Sequence, residues 1–129
     1  MKPQQQDLAL LLLRIGTAGL MIPHGWSKLN RLIDGLSSEE GVSFYNWLGI
    51  GEMPSLILTI IGELIAPLAV LLGWKCRWGA GLIAFTMAVA AFMVHWSDPL
   101  ADKEHALLFF FPACALVLMG PGRWSLDWK

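Results

Sequence analysis

Glu63 lies within Pro54–Gly73, a run that is otherwise apolar except for Ser55 and Thr59. Such a run matches the ~20 residues that a helix needs to cross the hydrocarbon core of a bilayer. A carboxylate held against lipid at that depth costs at least about 3 kcal/mol. The acid must therefore face protein, water or a ligand. One helix alone cannot supply that surface, so the sequence requires partner helices around this position.

Three more apolar stretches supply them: Leu8–Gly25, Trp78–Trp96 and Ala106–Met119. The last reaches spanning length when Glu104 and His105 join its start. Hydrophobic residues make up 56% of the chain and charged residues 15%. That balance suits helices that are apolar all round, which is a membrane signature rather than a soluble one. The expected fold is all-α: an integral membrane four-helix bundle, one transmembrane domain with spans near 8–28, 54–74, 78–96 and 104–120. The first run reads as a retained span, because no small-residue cleavage site follows it. Pro23 and Pro67 are expected kinks, and Gly120-Pro121-Gly122 is an expected helix stop.

With four spans, both chain ends and the second connection share one side. That side carries Lys2, Lys75, Arg77, Arg123 and Lys129, whereas the other carries Lys28, Arg31 and Lys103 among seven acids. The positive-inside rule then puts both termini in the cytoplasm. All seven tryptophans fall at or beyond predicted span ends, as an interfacial belt requires. In the long first outer loop, Ser37 followed by Glu40 has capping-box spacing. Val42, Tyr45 and Leu48 follow at helical spacing. Ser38–Trp47 is therefore expected to form a short amphipathic surface helix in the first outer loop. Gly81, Ala84, Ala88 and Ala91 form a small-residue stripe suited to close helix packing.

The titratable residues fall into two groups. Arg14 and Glu63 lie ~9 Å and ~15 Å from the inner ends of their helices at ~1.5 Å rise per residue. An Arg14–Glu63 pair is feasible over that difference. It would act either as a structural clamp or as a site in which Arg14 tunes Glu63. His24, His95 and His105 all fall in the outer half, with Lys28 and Glu104 near them. Imidazole suits proton exchange near neutral pH and also binds metals or haem. The alternative is that each ring is an ordinary interfacial residue. No HExxH motif, CxxC pair or phosphate-cradling glycine loop is present. Cys76 and Cys114 are too far apart in the topology to form a disulfide. A net charge of −1 gives no reason to expect a nucleic-acid partner.

A proton-coupled quinone site would use such parts. Its head group needs donors and acceptors for two carbonyls, and its tail needs an apolar gap. Phe109, Phe110 and Phe111 could line that gap or simply meet lipid. In this reading Glu63 and Glu104 are the proton-handling catalytic candidates. Arg14, His24, Lys28, His95 and His105 are the cofactor-binding candidates, and His24, His95 and His105 are the candidate ligands of a metal ion or haem.

The order of these motifs resembles the DoxX family of small membrane proteins. The resemblance rests on Arg14-Ile15-Gly16, His24-Gly25-Trp26-Ser27-Lys28-Leu29, Gly62-Glu63-Leu64, Gly73, Glu104 and the tail Gly120-Pro121-Gly122-Arg123-Trp124-Ser125-Leu126-Asp127. Pro67 stands where a small residue would be more usual. The resemblance implies a four-span protein of the bacterial inner membrane, linked in some members to quinone-dependent oxidoreductases. It matches Arg14, His24, Lys28, Glu63 and Glu104 to the family's polar positions. The expected function is a subunit of a quinone-linked membrane oxidoreductase, acting with a soluble or membrane redox partner. The alternative is a non-enzymatic protein that binds or passes a small solute or ion, or anchors a partner. A homo-oligomer is compatible with either.

Overall fold

In a computed structural model the chain is described over residues 2–44, 46, 49–94 and 96–128, with Val94 and Asp102 described by backbone alone. The first helix, α1, spans Pro3–Ser37. The second, α2, spans Glu52–Leu72 and contains a π-helical turn at Ile61–Ile65. The third, α3, is Cys76–Val89, extended by a second π turn over Ala90–Val94. The fourth, α4, is Leu100–Met119. No strand occurs among the described residues.

Local chemistry sets these limits. Proline opens α1 at Pro3, where its missing N–H would have had no helical partner. Gly73 ends α2 with φ 70°. Its N–H donates to the Val70 carbonyl at 3.0 Å, and that of Trp74 donates to Ala69 at 2.9 Å. This paired return is the Schellman arrangement, which needs a residue free to adopt a left-handed backbone. Gly120 closes α4 in the same region of φ.

α1 packs against α2 and α4, and α3 packs against the same two helices. The shared interior is apolar: Met21, Leu56, Ile83, Met87 and Leu116 are fully buried. The outward faces are apolar as well. Leu12, Leu20, Ile65, Leu82, Phe85, Leu108, Phe111 and Leu118 are all exposed. A belt of that extent would drive aggregation in water, and hydrocarbon removes the penalty. Three helices, Pro3–Ser37, Glu52–Leu72 and Cys76–Met93, are long and apolar enough to cross a membrane. The six described tryptophans are all exposed.

Two expectations require correction. α1 does not stop near Lys28 but continues to Ser37. At ~1.5 Å per residue it is about 50 Å long, so part of it extends beyond a ~30 Å hydrocarbon core. The surface helix over Ser38–Trp47 is absent from the described residues of that stretch, and Tyr45, Trp47 and Leu48 lie outside them. The expected capping box does not form: Ser37 lies in the last turn of a helix rather than at the start of one. Ser37 Oγ donates to the Ile33 and Asp34 carbonyls of α1's last turn. Ser38 Oγ accepts the Glu40 N–H in a tight turn, and Gly41 follows with φ 77°. The small-residue stripe of α3 is partly as expected. Ala91 is fully buried and Gly81 only half-buried, while Gly79, outside the stripe, packs against α2, where an added Cβ would stand 3.0 Å from Ala66 O.

Candidate functional site

Two glycines place Glu63. A Cβ on Gly25 would overlap the Glu63 backbone carbonyl, and one on Gly62 would overlap the Thr86 hydroxyl. α1 and α3 therefore close on the Glu63 turn from both sides, an approach that glycine alone permits. The turn itself is π-helical, a local widening found often at functional positions. Glu63 is 6% exposed, so its carboxylate is inside the protein. Lys28 lies nearly one turn beyond Gly25 on α1. Helical side chains lean towards the N-terminus, and that lean carries the Lys28 ammonium back to Glu63 Oε2, to which it donates. Each charge compensates the other, because an unpaired buried ion costs several kcal/mol.

Beside this pair lies a second one. His24 Nε2 and His105 Nε2 are 3.1 Å apart, bringing α1 and α4 together. The rings meet edge-on at 4.5 Å between centroids. Phe109 packs edge-on against both, at 5.0 Å from His105 and 6.2 Å from His24. A hydrogen bond between two Nε2 atoms requires one donor and one acceptor, so at least one imidazole is neutral when it forms. His24 adjoins Gly25 in sequence, so its ring stands at nearly the depth of Glu63. His24 and Lys28 are four residues apart on α1, one turn above the other on one face. Lys28, Glu63, His24 and His105 thus form one polar layer across α1, α2 and α4. Both imidazoles are exposed at the protein surface, among apolar side chains such as Leu20 and Leu108.

Arg14 does not join this layer, and the anticipated Arg14–Glu63 pair is absent. The guanidinium is 2% exposed and points to the end of the fold where α1 begins. Nε donates to Val70 O at 2.9 Å and Nη2 to Leu71 O at 2.7 Å. Nη1 donates to Pro121 O at 3.2 Å and Trp124 O at 2.7 Å. Arg14 therefore satisfies the last carbonyls of α2, where the helix dipole is negative, and ties the C-terminal tail to them. Depth along the axis allowed an ion pair. The fork geometry of arginine favoured carbonyls instead, and the cofactor-binding role expected for Arg14 has no support in this placement.

The tail completes that knot. Asp127 accepts the N–H of Lys75 at 2.7 Å and of Cys76 at 2.8 Å, capping α3 from a distant segment. Leu126 and Asp127 donate their N–H groups to Leu72 O and Gly73 O. Asp7 accepts the Arg123 N–H at 3.0 Å. Asp7 and Asp127 were not marked as partners of the arginine region by sequence reasoning. The available signal was the buried arginine itself, which needs several acceptors and had only one acid in reach.

The other expected residues scatter. Glu104 is exposed on the first turns of α4, one position and about 100° round the helix from His105. His95 lies outside the described residues, so of the three imidazoles His24 and His105 are the two brought together. Among the described residues no group of three or more His, Cys, Asp or Glu side chains could hold a metal ion. Cys76 and Cys114 are free thiols. The three phenylalanines divide: Phe109 is buried against the imidazoles, Phe110 is half-buried and Phe111 is exposed.

A family model described as DoxX covers residues 9–96, more than half of the chain. That stretch contains Arg14, His24, Lys28 and Glu63, while His105 and the tail lie beyond it. No curated protein matches, and no solved structure matches.

Proposed function

The chain belongs to the DoxX family, and from that premise we propose that it is a four-span subunit of a quinone-linked oxidoreductase in the bacterial inner membrane. In this reading α4 is the fourth span of the bundle, and both termini are cytoplasmic. The positive charge gathered at Lys2, Lys75, Arg77 and Arg123 supports that orientation.

One observation carries the reading: a buried Lys28–Glu63 pair stands in the same layer as the His24–His105 pair, at a lipid-facing seam. A quinone head group needs hydrogen-bond donors and acceptors near its two carbonyls, and an apolar path for its tail. The residues fit those needs. Lys28 has N–H donors beyond the one it gives Glu63. The imidazoles offer donors or acceptors according to tautomer. Phe109 and the surrounding leucines supply apolar surface. A ligand arriving through lipid can reach the exposed imidazoles without crossing the apolar interior, which favours a lipid-soluble molecule over a water-soluble solute.

Bound there, a quinone would supply the two-electron, two-proton carrier chemistry. Glu63 holds or receives a proton beside the Lys28 ammonium. The imidazole pair orients the head group and donates or accepts a hydrogen bond according to tautomer. None of these side chains is itself a redox centre, so electrons come from a partner.

The test is chemical. Protein purified in mild detergent is extracted with organic solvent and assayed for quinone by chromatography. Near-stoichiometric quinone, lost in a folded Glu63→Gln variant, supports the reading. Quinone-free protein that instead carries solute into vesicles would replace it with a transport function.

A further inference from the structure

A recess lies away from the polar layer, at the end of the fold where the chain begins and finishes. Its volume is about 370 Å³, within the range of small-ligand sites. Gly120, Pro121 and Gly122 line it, with Arg77 and Arg123 also among the lining residues. The Arg77 guanidinium lies directly over Gly120: a Cβ there would stand 3.2 Å from Nε and 3.3 Å from Nη2. The glycine thus meets two demands, a left-handed backbone and room for a flat cation.

Two acids also line the recess, and both are engaged by the protein. Asp127 accepts two backbone N–H groups at the start of α3. Asp7 accepts the Arg123 N–H and stands 3.9 Å from its Nε. Arg77, by contrast, has no hydrogen bond or ion pair among the described residues. Its charge is left for something outside the protein. Trp74, Trp78, Trp124 and Trp128 are exposed around the same end, and Arg123 Cζ sits 5.5 Å from the Trp128 ring centroid. Exposed tryptophans of a membrane protein mark the headgroup level. An unpaired guanidinium at that level meets phosphate, whose geometry its fork matches.

We propose that this recess binds a phosphate-bearing anion, and that the anion is the headgroup of an acidic phospholipid. Arg77 is the principal contact and Arg123 the second. Asp7 is paired with Arg123 and the Asp127 oxygens are turned to backbone N–H groups, so neither acid takes up the Arg77 guanidinium.

The full chain in neutral detergent is titrated with phosphatidylglycerol, phosphatidylcholine or sodium phosphate, and binding is read by native mass spectrometry and by the unfolding midpoint. Phosphatidylglycerol should bind saturably and raise the midpoint, with phosphatidylcholine weaker. Inorganic phosphate at the same concentration should have no effect. Arg77→Gln should weaken phosphatidylglycerol binding about fivefold, the contribution of one basic residue near an anionic surface. Arg77→Lys should fall between the two, and Arg31→Gln, at the opposite end, should match the parent. Equal binding by parent and Arg77→Gln, or equal binding of the two lipids, would overturn the proposal. Stabilisation by inorganic phosphate alone would overturn the lipid assignment.

Discussion

Two charges held inside the protein sit on the same face of α1, nearly four helical turns apart, and they are neutralised in opposite ways. Arg14 is surrounded by four backbone carbonyls. Lys28 meets the titratable carboxylate of Glu63, beside two titratable imidazoles. Carbonyls cannot change charge, so the Arg14 knot has one state and serves the fold. The Lys28 layer is built from side chains that can gain or lose a proton, and it can respond to a ligand. A charge inside a membrane helix is therefore not by itself the mark of a site. The chemistry of its partners decides.

The sharpest way to break that contrast is to remove Arg14. Arg14→Leu leaves the Val70, Leu71, Pro121 and Trp124 carbonyls without their donor and frees the tail. The expected loss is about 3–5 kcal/mol, the range for breaking a buried charged network. It is read as a fall in the unfolding midpoint or in the yield of monodisperse protein. Arg14→Lys keeps the charge but not the fork, so it should restore only part of the loss. If Arg14→Leu folds normally and loses ligand instead, the two regions have been assigned the wrong way round.

Glu63 should show the complementary behaviour. Glu63→Gln leaves Lys28 with a neutral acceptor, and Lys28 is partly open and can reorient. A stability loss of about 1–3 kcal/mol is expected, alongside loss of the bound ligand. A double replacement, Lys28→Met with Glu63→Leu, removes both charges. It should recover most of the stability, because buried ion pairs often contribute little net energy against apolar residues, yet it should not recover ligand binding. Recovery of both would make the pair a clamp like Arg14.

A smaller effect belongs to the knot. Asp127→Asn keeps one acceptor for the Lys75 and Cys76 N–H groups and removes the charge at the start of α3. Loss of a cap of this kind costs about 1 kcal/mol, measurable as a modest drop in midpoint with ligand binding unchanged.

The sequence showed which helices exist, since long apolar runs admit few alternatives. It also showed that Glu63 faces inward, because a carboxylate in an apolar run must leave lipid. It did not show which charge meets which. Rise per residue gives the depth of a backbone position, but Lys28 and Arg14 carry their charges some 6 Å from it, and both lean towards the N-terminus. Lys28 is thereby brought down to Glu63, and Arg14 is carried away from it. The tail partners were hidden for a different reason: backbone carbonyls leave no trace in residue identity. The end of α1 was misjudged because Pro23 and the polar residues after it read as a stop. A long helix tolerates one proline, at the price of a single unpaired carbonyl.

The imidazole pair gives the smallest and most specific effect. Its Nε2–Nε2 bond exists only while one ring is neutral. Protonation of both rings makes both donors, and the bond is lost. Ligand affinity should therefore decline once the medium is acid enough to protonate both. Replacing either ring, as in His24→Phe or His105→Phe, should change stability by no more than about 1 kcal/mol, since both sit at the protein surface. The same replacements should flatten the acid limb of the binding curve, because a single remaining ring has no partner to repel. An acid limb that persists unchanged in both variants would show that the seam between α1 and α4 is not what responds to pH.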